Sequence, residues 1–228
     1  MHFGLTYDLR RDYLAEGFSP EATAEFDADE TVDALAAAIA ACGHTVTRIG
    51  HGRALAQRLV AGARWDIVFT IAEGMYGRAR EAQVPALLEL YNIPYVGSDP
   101  LVCAATLDKA IAKTLVRAAG VRTPPFAVVR STADIARVQL QFPLFVKPVA
   151  EGTGKGISRV SRVTDAAQLR QAGMVLLCFT GDQVCLDGAK RTAGAAPSRT
   201  IQTSISQKDW GKVLQARSYT MMVVPPRP

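Results

Sequence analysis

No apolar run in this chain approaches the roughly 18–20 residues that a membrane-spanning helix needs. The first thirteen residues, MHFGLTYDLRRDY, carry charges where a secretory signal would need its apolar region, so the sequence reads as cytoplasmic. Cysteine is scarce, and Cys42, Cys103, Cys178 and Cys185 form no CxxC pair, which argues against a standard zinc knuckle and leaves incidental or buried thiols, with metal binding as the remote alternative. Asparagine occurs once, at Asn92, and glutamate is absent after Glu151. No internal repeat is present. A basic stripe interleaved with aromatics is also lacking: the net charge of +5 arises mainly in the tail, with 19 basic and 18 acidic residues over 1–170 against 7 and 3 over 171–228. Nucleic acid is therefore not an indicated partner.

What is present is a hydrophobic fraction of 49% and a charged fraction of 21% in 228 residues, ordinary for a globular protein of one or two domains. The first hundred residues alternate short apolar runs with helical periodicity. Strands are expected at His2 to Tyr7, His44 to Ile49, Asp66 to Ala72 and Pro94 to Gly97. Helices are expected from Asp27 to Gly43, Ala54 to Ala61 and Val84 to Leu90. In the first helix Asp27 would be the N-cap and Glu30 its capping-box partner. This βαβαβαβ order predicts a parallel sheet with helices on both faces. A second, smaller α+β unit is expected from Pro100 to about 170. It would hold a helix from Leu107 to Ala119, strands at Phe126 to Val129, Leu144 to Lys147 and Ile157 to Val163, and short helices from Thr132 and from Thr164. Beyond Gln171 periodicity fades, and residues 171–228 read as a divergent, poorly ordered tail.

The segment KPVAEGTGKGIS carries the most chemistry. Lys147 stands on an otherwise apolar strand, and burying an unpaired ammonium is costly, so it needs an anionic partner. Glu151 opens a loop in which Gly152, Gly154 and Gly156 let backbone N–H groups turn inward as an anion nest, with hydroxyls from Thr153 and Ser158 and the ammonium of Lys155 at the tip. A plain glycine-rich hairpin is the alternative. The loop is neither a P-loop nor a dinucleotide fingerprint, because the order Gly-x4-Gly-Lys-Ser/Thr and a following βαβ unit are both missing. Glu73, Arg78, Arg80 and Glu81 follow the expected third strand at its carboxyl end, where open α/β sheets bind ligands; a solvated charged loop is the competing reading. Lys113 reads as a surface lysine, and neither His44 nor His51 has a sequence neighbour that suggests catalysis.

Three ordered segments, WDIVFTIAEGMYGRAREAQVPALLELYNIPYVGSDPL, TLDKAIAKTLVRAAGVRTPPF and FPLFVKPVAEGTGKGIS, resemble D-alanine–D-alanine ligase, a member of the ATP-grasp superfamily. The resemblance covers residues 1 to about 170. It implies a pre-ATP-grasp α/β domain over 1–99 and a partial ATP-grasp central domain over 100–170, with the C-terminal ATP-grasp domain missing. It implies that Lys109 and Lys147 approach the phosphates of ATP and that Glu151, Gly152, Thr153, Gly154, Lys155, Gly156 and Ser158 form the loop closing over the triphosphate. Thr153 stands where the family has serine. The resemblance further sets Glu30 roughly where the family binds the ammonium of the first D-alanine, and Glu73, Arg78, Arg80 and Glu81 along the substrate cleft. The implied reaction passes the γ-phosphoryl group of ATP to a D-alanine carboxylate, after which a second D-alanine attacks the acylphosphate, making a cell-wall dipeptide. Mg²⁺ is expected for the family, but its Asp, Glu and Asn ligands are not found after residue 170, where the acids are Asp182, Asp187 and Asp209. The rival expectation is a catalytically inactive fragment or weak nucleotide-binding module. Small molecules are the implied partners, with a homodimer as a family habit.

Overall fold

The computed structural model describes residues 1–172, 176–180 and 223–224, the side chains of the last two stretches excepted. It divides into two units, Met1–Ala104 with Thr203–Pro228, and Ala105–Gln202.

In the first unit the elements run β1 (His2–Thr6), α1 (Arg10–Ala15), α2 (Asp29–Ala41), β2 (Thr45–Gly50), α3 (Gly52–Val60), β3 (Ile67–Thr70), α4 (Gln83–Leu90) and β4 (Tyr95–Val96). The strand order is β2-β1-β3-β4, all parallel, with the chain returning as the antiparallel pair β9 (Val223–Val224) at the edge. The expected parallel α/β sheet is therefore present. Alternation along β3 sends neighbours to opposite faces. Val68 joins Leu55, Leu59, Val84 and Leu88 under α3 and α4, while Phe69 joins Leu5, Val32, Leu35 and Ile39 under α2. Gly4 faces the first of these layers, where an added Cβ would lie 2.6 Å from Ile49 Cδ1 and 3.1 Å from both Trp65 and Val68, so the ring of Trp65 occupies the space that a side chain on β1 would need.

Boundaries move where side chains prefer other partners. Asp27 does not cap α2: the N-cap is Ala28, without a side-chain hydrogen bond, and the expected Asp27–Glu30 capping box does not form. Asp27 instead joins a parallel bridge to Leu9, its N–H donating to Asp8 O at 2.9 Å. The short helix α1 was not expected.

In the second unit the helix expected over Leu107 to Ala119 is α6 (Lys109–Ala118), and a helix that was not expected, α5 (Pro100–Leu107), precedes it. The apolar period runs through the junction, yet buried Asp108 breaks it, its Oδ1 accepting from the N–H groups of Ala110 and Ile111 at 3.0 Å. Then come β5 (Phe126–Val129), α7 (Thr132–Ile135), β6 (Leu144–Pro148), β7 (Arg162–Val163), α8 (Ala166–Gln171) and β8 (Leu176–Thr180). Much of the strand expected at 157–163 is instead a 3₁₀ turn over Arg159–Ser161. The sheet is antiparallel in the order β5-β8-β6-β7, so β8 is the strand that joins β5 to β6. Both β8 and β9 lie in the segment 171–228 whose composition suggested little order; apart from Gln171 and Ala172 at the end of α8, the rest of that segment lies outside the described residues. Val129, Ile135, Leu144, Val146, Val163 and Leu169 fill one face, and Val149 with Phe126, Val128, Phe145 and Ala110 of α6 fills the other.

Candidate functional site

In the second unit, strand β6 delivers Lys147 and ends at the glycine loop. Lys147 is half-buried, aligned with Leu177 of β8. Lys109, the first residue of α6, is pinned to the same strand end: its N–H donates to Val149 O at 3.0 Å, and its ammonium donates to Val149 O at 3.4 Å and to the carbonyl of Glu151. Two lysines far apart in sequence thus attach to one strand and the loop that leaves it. The Asp108 cap makes this possible, because it starts α6 at Lys109.

The loop itself is tightly turned. Lys155 N–H donates to Gly152 O at 2.8 Å and Ile157 N–H to Gly154 O at 3.0 Å. Thr153, Gly154 and Gly156 have φ of 48°, 78° and 72°. For the β-branched Thr153 this left-handed conformation is strained. At Gly156 a Cβ would fall 2.6 Å from Pro148 Cγ, so glycine is required there on two counts. Lys155, expected to extend toward an anion, folds back onto Glu151 at 2.9 Å. The exposed Ser158 donates its N–H to Ser161 Oγ at 3.0 Å. Lys113 is not a free surface lysine: it donates to Thr123 Oγ1 at 2.5 Å and lies 5.5 Å from the centre of the Phe126 ring.

In the first unit the loop after β3 forms a buried charge cluster. Arg80 and Glu25 pair at 2.6 Å with side chains 8% and 2% exposed. Glu73 is pushed up from 4.5 to about 7, first by burial and then by the charges of Glu81 and Glu25 and a hydrogen bond with Glu81, with Arg80 opposing. Arg80 thus pairs with Glu25 and lies close enough to Glu73 to oppose its rise, and Glu73 is held partly protonated near neutrality. Arg78 is exposed. Glu30 is exposed on the first turn of α2.

Sequence reading missed Glu25, Asp8 and Tyr13, which lie in irregular stretches or on the unexpected α1. Asp8, 1% exposed, accepts from Tyr13 Oη at 2.6 Å and from Gly74 N–H at 2.8 Å, tying the end of β1 to the loop after β3. Burial raises the Tyr13 phenol, and the Asp8 hydrogen bond adds to this. Asp27 is raised from 3.8 to about 6 by burial and by Asp8, and its buried Oδ2 has no hydrogen-bond partner among the described residues. The ring of His51 is the N-cap of α3, its Nδ1 accepting from Ala54 N–H at 3.1 Å, which leaves the proton on Nε2. Rather than beginning a strand, His44 stacks on Phe3 with ring centres 5.1 Å apart. Cys42 is an exposed free thiol and Cys103 a half-buried one. Among the described residues no group of three or more His, Cys, Asp or Glu side chains is placed to hold a metal ion, and no helix is long and apolar enough to cross a membrane.

No family model matches the chain. It is 37% identical over 147 residues to the uncharacterized protein y4sG of Sinorhizobium fredii, covering 61% of this chain and 43% of that protein. To a D-alanine–D-alanine ligase of Syntrophotalea carbinolica it is 38% identical over 130 residues, 57% of this chain and 42% of the ligase. The chain thus spans less than half the length of these curated relatives. Among solved structures, D-alanine–D-alanine ligase from Bacillus anthracis superimposes with a TM-score of 0.58 at 21% identity, covering 80% of this chain and 58% of that one. A second structure of that ligase, complexed with ATP, gives a TM-score of 0.50 at 19% identity. In sequence and in fold, then, this chain matches part of the D-alanine–D-alanine ligases.

Proposed function

We propose that this chain carries the ATP-binding loop and the acid-binding end of an ATP-dependent carboxylate–amine ligase of the D-alanine–D-alanine type, acting in the cytoplasm on a peptidoglycan precursor. The observation that supports it best is the convergence of Lys109 and Lys147 on strand β6 and its glycine loop. Two ammonium groups at the base of a loop rich in turned N–H groups suit a polyphosphate, whose charge they would offset as it leaves water. The ligase of Bacillus anthracis that shares the fold has been seen with ATP, which supports the same reading.

Lys109 and Lys147 hold the triphosphate; Lys155 exchanges Glu151 for it when the loop closes; Thr153 supplies a hydroxyl at the loop's exposed tip. Phosphoryl transfer asks the protein for positioning and charge compensation more than for covalent chemistry, and these groups provide both. Mg²⁺ is expected for this reaction, but the described side chains offer no fitting donor set, so no step is assigned to it. At the acid-binding end, the excess of carboxyl groups at Glu25, Glu73 and Glu81 over Arg80 suits the ammonium of an amino acid. Glu25 takes the part expected of Glu30, being buried and charge-paired where Glu30 is exposed. A carboxyl that titrates near 7, as Glu73 does, is also suited to accept the proton the attacking amine must lose.

Phosphate release from ATP with Mg²⁺ and D-alanine tests this, beside a Lys147→Ala control. Turnover above the control supports the ligase. ATP binding that Lys147→Ala weakens, with no turnover for D-alanine or other small acids, would instead support a nucleotide-binding module. ATP-grasp sites join many acids to many amines, so an acid panel belongs in the assay.

A further inference from the structure

A cavity of about 340 Å³ lies beside the charged cluster, at the carboxyl ends of β1, β2 and β3 in the first unit. Its wall is largely apolar: Ala56 of α3, Val84 and Leu87 of α4, Met75 and the ring of Tyr13. Its polar groups are unevenly placed. Asp8 is already satisfied on both oxygens by Tyr13 and Gly74. Arg80 is committed to Glu25. Arg53 differs: its guanidinium lies 5.9 Å from the centre of the Tyr76 ring and has no hydrogen-bond or carboxylate partner among the described residues. Beside it, His51 keeps a donor on Nε2, since Nδ1 is spent on Ala54. The mouth therefore presents cationic and N–H donors with no acceptor of their own, over an interior that prefers apolar atoms.

We infer that this cavity binds a small monocarboxylate with a compact apolar or aromatic body, the carboxylate at Arg53 and His51 and the body against Ala56, Val84 and Leu87. A planar carboxylate matches the guanidinium fork. A body of that kind gains from leaving water, whereas a free phosphate would have to strip its hydration to sit over an apolar wall. Because Arg80 belongs both to this wall and to the charged cluster, occupancy would bear directly on the acid-binding end. The site lies within the first unit, so this inference stands or falls apart from ATP binding by the second.

The test is an amide-resonance titration of the full chain with 3-phenylpropionate, 3-phenylpropanol and inorganic phosphate as probes. Phenylpropionate should bind and shift the amides of Gly52, Gly74 and Tyr76, and the uncharged alcohol should bind about tenfold more weakly, the loss expected for one charge-assisted contact. Arg53→Gln, at an exposed position, should weaken the acid to the level of the alcohol, and Ala56→Leu should remove both by filling the cavity. Wild-type melting of each variant keeps these readings interpretable. Absence of binding, equal binding of acid and alcohol, competition by phosphate, or shifts elsewhere would each overturn the inference, as would full binding by Ala56→Leu.

Discussion

The charged groups of the two units are held in opposite ways. Around Arg80 the pair with Glu25 is buried and Glu73 beside it is held partly protonated, so these partners are in place before any ligand arrives. In the glycine loop the Glu151–Lys155 pair is 32% and 19% exposed, on a backbone that two short turns hold in left-handed conformations. The first arrangement recognises by being preformed. The second is one short pair within a single loop, which a polyphosphate can replace by offering Lys155 stronger anionic oxygens. The ligase proposed above would use both, a fixed seat for the acid and a loop that changes partners when the nucleotide binds.

The contrast breaks most visibly at Arg80. Arg80→Met takes the guanidinium from the buried Glu25 carboxylate and should cost about 3–5 kcal/mol in urea unfolding, whereas Arg80→Met with Glu25→Leu should recover a good part of it. A loss below about 1 kcal/mol would mean that water reaches the cluster and screens it. Next in size, Gly156→Ala meets Pro148 and an unfavourable φ, and should destabilise the second unit by roughly 1–3 kcal/mol with matching loss of ATP affinity, leaving the first unit's melting unchanged.

Glu73 sharpens the comparison through pH. Its carboxyl is raised on folding, so the neutral form is the one folding favours. Stability is then full below pH 4.5 and falls as pH rises through about 7, and Asp27 adds a similar decline between 3.8 and about 6. Glu73→Gln should flatten this slope and at about pH 8 gain on the order of 1 kcal/mol over the wild type; an unchanged slope would mean that Glu73 is not its source. The smallest effect is expected at the loop. Glu151→Gln should alter stability by no more than about 1 kcal/mol while shifting the Lys155 side-chain resonances.

Much of the fold was legible because apolar runs such as Ile67–Thr70 and the 3.6-residue period of Val32, Leu35 and Ile39 are local signals. The break at Asp108 was not, since the apolar period passes through it and only the buried cap reveals it. Strand β8 lay hidden in a segment without periodicity, where LLCFT is too short to tell strand from helix. At the site, the glycine loop and Lys147 stood out from the residues alone, whereas Lys109 entered only through the resemblance. Glu25 did not, because it sits in the irregular stretch between α1 and α2, and its value comes from Arg80, far along the chain. The Lys155–Glu151 pair was equally illegible: composition names the charges but not which one the loop folds back on.

Strand β6, its loop and the start of α6 are proposed to grip a polyphosphate together, and everything proposed for the second unit depends on this. Equilibrium binding of ATP to the full chain, to Lys109→Ala and to Lys147→Ala tests this most directly. Binding by the wild-type chain is expected, with a loss of about tenfold or more in each variant from removing a charge-assisted contact. Absent binding, or binding that neither substitution weakens in folded protein, would contradict it.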